Sequence, residues 1–217
     1  MDDVKESATF PCPKADDSGE GLKRRQILQG ARNVFLAHGF DGASMGEIAR
    51  AAGVSKGTLY VYFDSKEKLF EALTLEQKGV LAEVLFKLNP DNPDVRSVLV
   101  ELGRTFLKFM CEPAHVSSVR MVMGAAEKVP AVGQAFYEGG PSKGIARLSA
   151  YLSQQAQAGR LTIDDPETAA EHFLALCQSE TMKRLLFAVG APPDEAQIDI
   201  KVQKAVRVFL AAYGPAA

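Results

Sequence analysis

The chain has 217 residues, 47% of them hydrophobic and 24% charged, with a formal net charge of −2. That length and apolar content suffice for a sizeable core in one or two domains and exclude a chain disordered throughout. The acidic opening MDDVKESATF lacks the basic start and apolar stretch of a secretory signal, and no later apolar run is long enough to span a bilayer. A cytoplasmic protein without a membrane partner is expected. Three cysteines, Cys12, Cys111 and Cys177, stand far apart without CxxC spacing, implying neither a disulfide framework nor a metal site; a redox-sensing pair among them stays open.

Residues 1–21 hold two prolines, two glycines and no helical periodicity, with six Asp or Glu against two Lys, and read as a flexible acidic arm. Lys14 is placed to touch a minor groove, but the arm's charge favours a solvated tail. From Leu22 onward, Ile27, Leu28, Ala31, Val34 and Phe35 form one apolar helical stripe on a helix kept positive by Lys23, Arg24, Arg25 and Arg32. Gly39 is expected to end it, with Phe40 making the accompanying apolar contact.

Ser44 followed by Glu47 is a capping box, so a second helix starts at Met45 and carries Met45, Ile48, Ala49 and Ala52 at helical spacing. Gly53 supplies the left-handed conformation that ends it, and Val54 packs into the corner. Ser55 caps a third helix with Leu59 and Phe63 inward, leaving Lys56, Thr58, Tyr60 and Tyr62 for other surfaces. Two short helices joined by a glycine-bearing turn are the grammar of a helix-turn-helix DNA reader, whose second helix suits a major groove. Asp64 and Glu67 form another candidate capping box, so a long helix should begin near Ser65 and run towards Leu88.

Net charge argues against DNA binding until it is divided along the chain. Between Leu22 and Leu73 eight Lys or Arg face five Asp or Glu, a net +3. Doubled in a dimer, that charge suits specific, salt-sensitive operator binding and not indiscriminate coating.

The segment GVSKGTLYVYFDSKEKLFEAL, from Gly53 to Leu73, together with ILQGARNVFLAHGFDGASMGEIARAAG leading into it, resembles the DNA-binding domain of the TetR family of transcriptional regulators. The resemblance covers about a quarter of the chain at residue level. It implies an all-α fold, with an N-terminal three-helix helix-turn-helix domain at 22–73 and a helical effector-binding and dimerisation domain at 74–217. Ser44 and the first amides of its helix would meet a phosphate, beside its plain role as a cap. Lys56 and Thr58 would reach base edges, the alternative being a solvated face. Gly57 costs a helix about 1 kcal/mol relative to alanine, which close approach to DNA would explain. Tyr60 and Tyr62 resemble the family's aromatic contacts to backbone or base, though a core role is open to either, and Lys66 matches its phosphate-binding lysine.

Beyond Leu73 the sequence reads as successive helices divided by Asn89-Pro90, Pro113, Pro130, Gly139-Gly140-Pro141, Gly159 and Gly190-Ala191-Pro192. Asp165-Pro166-Glu167 opens one of them with an N-cap, a proline and an acid. The last two helices are apolar on more than one face. In the resemblance they supply a four-helix homodimer interface through Phe173, Leu174, Met182, Leu185, Val202, Val206 and Phe209; the alternative is a wholly internal core. Soft and aromatic side chains at Phe106, Phe109, Met110, Met121, Met123, Phe136 and Tyr137, with Phe173 and Cys177, are candidates for a small-molecule effector pocket, against simple core packing. His115, Arg120, Gln134 and Gln178 are candidate polar anchors.

These expectations make the chain a DNA-binding regulator, a repressor by family analogy, whose two heads enter major grooves about 34–36 Å apart on a near-palindromic operator. A small-molecule effector would release it, with the helix after Ser65 as lever. Among its three histidines there is no HExxH, and GxSxG and a phosphate-binding glycine loop are also missing, so neither catalysis nor a cofactor is expected. A helical scaffold without sequence-specific DNA binding is the alternative.

Overall fold

The computed structural model describes residues 19–74 and 88–215. Most of the acidic arm with Cys12 and Lys14, and the continuation expected for the fourth helix towards Leu88 over 75–87, therefore lie outside the described residues. Every regular element among the described residues is a helix.

Helix α1 spans Gly19–Gly42, α2 Met45–Ala51 and α3 Lys56–Tyr62. The first begins three residues before the expected boundary at Leu22. Gly39 interrupts it as expected, at φ 69°, but the chain resumes a helical turn to Gly42, which carries Phe40 into the head's core. There Phe40 lies 6.0 Å from Phe35 and edge-on to Phe70 at 5.3 Å. Gly53, at φ 63°, ends α2, and Val54 N–H closes back on Ala49 O at 3.0 Å. At Gly30 the first two helices cross so closely that an added methyl would lie 2.6 Å from Ala52 backbone.

Helix α4 begins at residue 66 and is described to 74. Its cap is Ser65 and not the expected Asp64: Ser65 Oγ accepts from Lys68 N at 3.2 Å. Then come α5 Val95–Met110, α6 Pro113–Ala126, α7 Pro130–Gly139, α8 Pro141–Gln157, α9 Pro166–Leu186 and α10 Glu195–Tyr213. Four of these start on proline, where the missing N–H costs nothing. Asp165 caps α9 as read, accepting from Thr168 N at 3.1 Å. What the sequence did not announce is a break within α9 at Ser179, at φ 42° and ψ −135°.

Two apolar cores result. The larger joins α5, α8, α9 and α10 through Leu99, Leu148, Phe173, Val202 and Phe209. The smaller is the head's, built from Ile27, Phe35, Ile48, Leu59 and Phe70, but Val122, Ala125 and Val132 of α6 and α7 belong to it too. The head is thus packed directly on the helices that follow it.

Candidate DNA interface and ligand cavity

On the head, Ser44 and Glu47 form the capping box in both directions: Glu47 N donates to Ser44 Oγ at 3.2 Å, and Ser44 N to the Glu47 carboxylate at 3.0 Å. The Ser44 hydroxyl and then its amide hold the Glu47 carboxyl below the usual carboxylate range. Ser55 caps α3 by accepting from Thr58 N at 3.0 Å, and the Ser55 and Thr58 hydroxyls share a 2.8 Å hydrogen bond. Lys56, Gly57 and Tyr60 are exposed, while Tyr62 is half-buried against the head's core. Lys56 leans back over α2: a methyl built on Gly46 would meet its Cε at 2.9 Å and its Nζ at 3.2 Å. Its ammonium therefore sits on the side of the head where Ser44 is exposed.

Lys66 departs from the expectation of an ammonium reaching outward to phosphate. It is half-buried, donates to Phe40 O at 2.7 Å and Ala43 O at 3.0 Å, and lies 4.4 Å from the centre of the Phe40 ring. The cause is local. The amides four residues on, those of Ser44 and Glu47, are taken by the capping box, so both carbonyls need another donor.

Between α5, α6, α8 and α9 lies a cavity of about 480 Å³. Phe106, Phe109, Met110 and Phe136 of the expected pocket line it, as do two of the expected anchors, His115 and Gln178. The His115 ring stands 4.3 Å from that of Phe109. Other expected members lie elsewhere. Met121 packs on the head's core, Met123 is 63% exposed, Tyr137 is 55% exposed, and Phe173 and Cys177 are sealed in the larger core. Arg120 instead donates through Nε to Leu186 O at 3.0 Å and through Nη2 to Leu185 O, and Gln134 pairs with Glu138 on the surface of α7. Val119, Gly144, Ile145 and Leu186 line the cavity without having been read from the sequence. The Gly144-Ile145-Leu148 spacing on α8 was the available signal.

The residues expected at a dimer interface lie mostly inside the single chain. Phe173, Val202, Val206 and Phe209 are wholly enclosed within one protomer, and Leu174 and Met182 line the cavity. Only Leu185 borders the outer face of α9 and α10, in a groove of about 430 Å³ shared with Val189, Ile200 and Lys204. The exposed apolar groups of the groove are Val189 and Ile200, with Val208 two turns beyond Ile200 on α10. A helix-periodic stripe shows that a face is buried, not which body buries it.

A compact three-helix head with the second helix of its helix-turn-helix exposed defines a DNA-binding regulator. Residues 27–73 match the model described as bacterial regulatory proteins, tetR family, and residues 97–215 match that of the AefR-like transcriptional repressor C-terminal domain. The chain belongs to the TetR family, whose members are transcriptional regulators and not enzymes. It is 29% identical over 170 residues to the HTH-type transcriptional repressor AcnR of Corynebacterium glutamicum, spanning 77% of this chain and 83% of that one. Among solved structures, a TetR-family transcriptional regulator from Mesorhizobium loti superposes with a TM-score of 0.84 at 26% identity, covering 91% of this chain and all of the other. The flavonoid-responsive regulator FrrA gives a TM-score of 0.77 at 32% identity with the same coverage. Among the described residues no helix is long and apolar enough to cross a membrane.

Proposed function

We propose that the chain is a homodimeric repressor that binds a near-palindromic operator in the cytoplasm and is released by an apolar small molecule entering the cavity between α5, α6, α8 and α9. The observation that carries this reading is the course of α6. His115 and Val119 line the cavity, Arg120 is fastened to the end of α9, and Val122 and Ala125 lie in the head's core. A ligand that moves the cavity wall moves a helix on which the head is packed, and its leverage is its difference in affinity between the two shapes. Helix α6 therefore joins, as lever, the fourth helix expected from the sequence.

The operator contacts follow the head's geometry. Ser44 and Lys56 converge on one side and suit a phosphate, with Thr58, Tyr60 and Tyr62 on α3 as the further contacts. The partner protomer covers the outer face of α9 and α10, where Ile200, Lys204 and Val208 recur at helical spacing. The flavonoid response of a 32% identical neighbour makes naringenin the first probe of the cavity.

The test is selection of duplexes bound by the full-length chain from a random DNA pool, followed by titration of naringenin against the selected duplex. Enrichment of a palindrome with half-sites one turn apart supports the dimeric operator reading. Release that disappears in Ala175→Phe, a substitution directed into the cavity, supports the effector reading. No enrichment by folded protein would return the scaffold alternative.

A further inference from the structure

Val61 is 83% exposed on α3. A β-branched residue at a solvent-facing helical position gives up helix stability that a straight side chain would keep, without burying anything in return. Four residues earlier, on the same face, is Gly57. Nothing within the protein requires glycine there: it is absent from the glycines with positive φ, and a methyl built on it would meet only Ser55 Oγ, at an ordinary 3.7 Å. Glycine and valine are thus both unfavourable for this helix and unexplained by its packing.

Helical side chains lean towards the N-terminus, so the isopropyl group of Val61 stands over the turn that Gly57 leaves bare. The two positions form a smooth strip without a side-chain donor or acceptor. A hydrogen-bonding base reader would place Arg, Asn or Gln there. The apolar feature that base edges present in a major groove is the thymine 5-methyl group. We propose that Gly57 and Val61 form a thymine-reading face, in which Gly57 lets the α3 backbone approach the groove floor and Val61 packs on one thymine methyl in each operator half-site. This rests on α3 being the groove helix, and it names the base that the helix reads.

Deoxyuridine tests this by removing the methyl while keeping every hydrogen-bonding group of thymine. Each thymine of the selected duplex is replaced in turn, and binding of the full-length chain is measured at fixed salt. One position per half-site should weaken wild-type binding about fourfold, the worth of one buried methyl group. Val61→Ala, a change at an exposed position, should bind the thymine duplex about fourfold more weakly and be indifferent to deoxyuridine at that position. Wild-type binding unchanged by deoxyuridine at every position would overturn the proposal, as would equal losses in wild type and Val61→Ala. If no duplex is selected at all, the groove assignment of α3 fails and takes the proposal with it.

Discussion

The ammonium of Lys66 lies 2.7 Å from the carbonyl oxygen of Phe40 and 4.4 Å from the centre of the same residue's ring. With the bond to Ala43, it ties the start of α4 to the end of α1 and to the residue that precedes the Ser44 cap. Lys66→Met should therefore lower the free energy of unfolding by about 1–3 kcal/mol, since hydrogen bonds from a charged donor are lost and two carbonyls are left unserved. Urea unfolding measures this. The slope of operator affinity against salt distinguishes the roles. A lysine spent inside the protein leaves the slope unchanged, whereas a phosphate contact reduces it by about one on removal.

Ser44 has a separable role, because its hydroxyl and amide both engage Glu47. Ser44→Ala should cost about 1 kcal/mol, the usual worth of an N-cap. The pH dependence follows from the lowered pKa of Glu47. A carboxyl with a folded pKa below its unfolded value of 4.5 contributes stability that is fully present above that value and lost as pH falls through the folded pKa. The stability gap between wild type and Ser44→Ala should therefore narrow as pH drops below about 4.5. A gap that stays constant down to acid unfolding would show that Glu47 is not held by the cap.

The head was legible in the sequence because its determinants are local. Ser44 and Glu47 cap each other three residues apart, Gly53 turns the chain through its own φ, and Ser55 caps Thr58 three residues on, while Leu59 and Phe63 had only one core to face. The second domain was legible only as a set of helices. Val119 and Met121 are two residues apart on α6, yet one lines the cavity and the other packs on the head. That division is set by which helices flank α6, information carried by residues up to a hundred positions away. Phe209 misled for the same reason: it stacks edge-on to Phe173 at 5.4 Å inside one protomer, and hydrophobicity alone does not distinguish that contact from one across a dimer.

The proposed dimer face makes a contrast between two substitutions. Phe209→Ala empties a wholly buried site and should lower stability by about 3–5 kcal/mol, with loss of the dimer only as a consequence of unfolding. Ile200→Asp changes a residue that is 54% exposed in the protomer. It should leave the helical signal intact while producing monomer in sedimentation, and operator affinity should fall with it. A dimeric Ile200→Asp would move the interface off this face.

Cys177 is enclosed by the larger core, and burial pushes its thiol up to about 12. Cys111 is buried as well and raised for the same reason. At neutral pH both remain protonated and out of reach, so neither suits redox sensing. Mass-mapped alkylation of the native protein should leave both unmodified over times in which the urea-unfolded chain reacts completely. Rapid native labelling of Cys177 would mean that the core around α9 opens readily.

The break in α9 falls where the outer groove begins, while the cavity lining continues past it to Met182 and Leu186. Gln178 lines the cavity, Ser179 carries the φ of 42°, and Glu180 and Thr181 turn to the outer groove. The Thr181 hydroxyl, two residues past the break, is buried without a hydrogen-bond partner among the described residues. A positive φ with this ψ is strained for any residue bearing a Cβ and costs on the order of 1–3 kcal/mol. Ser179→Gly should relieve that strain and raise the midpoint of urea unfolding. Ser179→Leu, which favours continuous helix, should instead be destabilising, because straightening α9 would rotate Met182 and Leu186 out of the cavity wall. If Ser179→Leu is the more stable of the two, the break is not the conformation that the cavity requires.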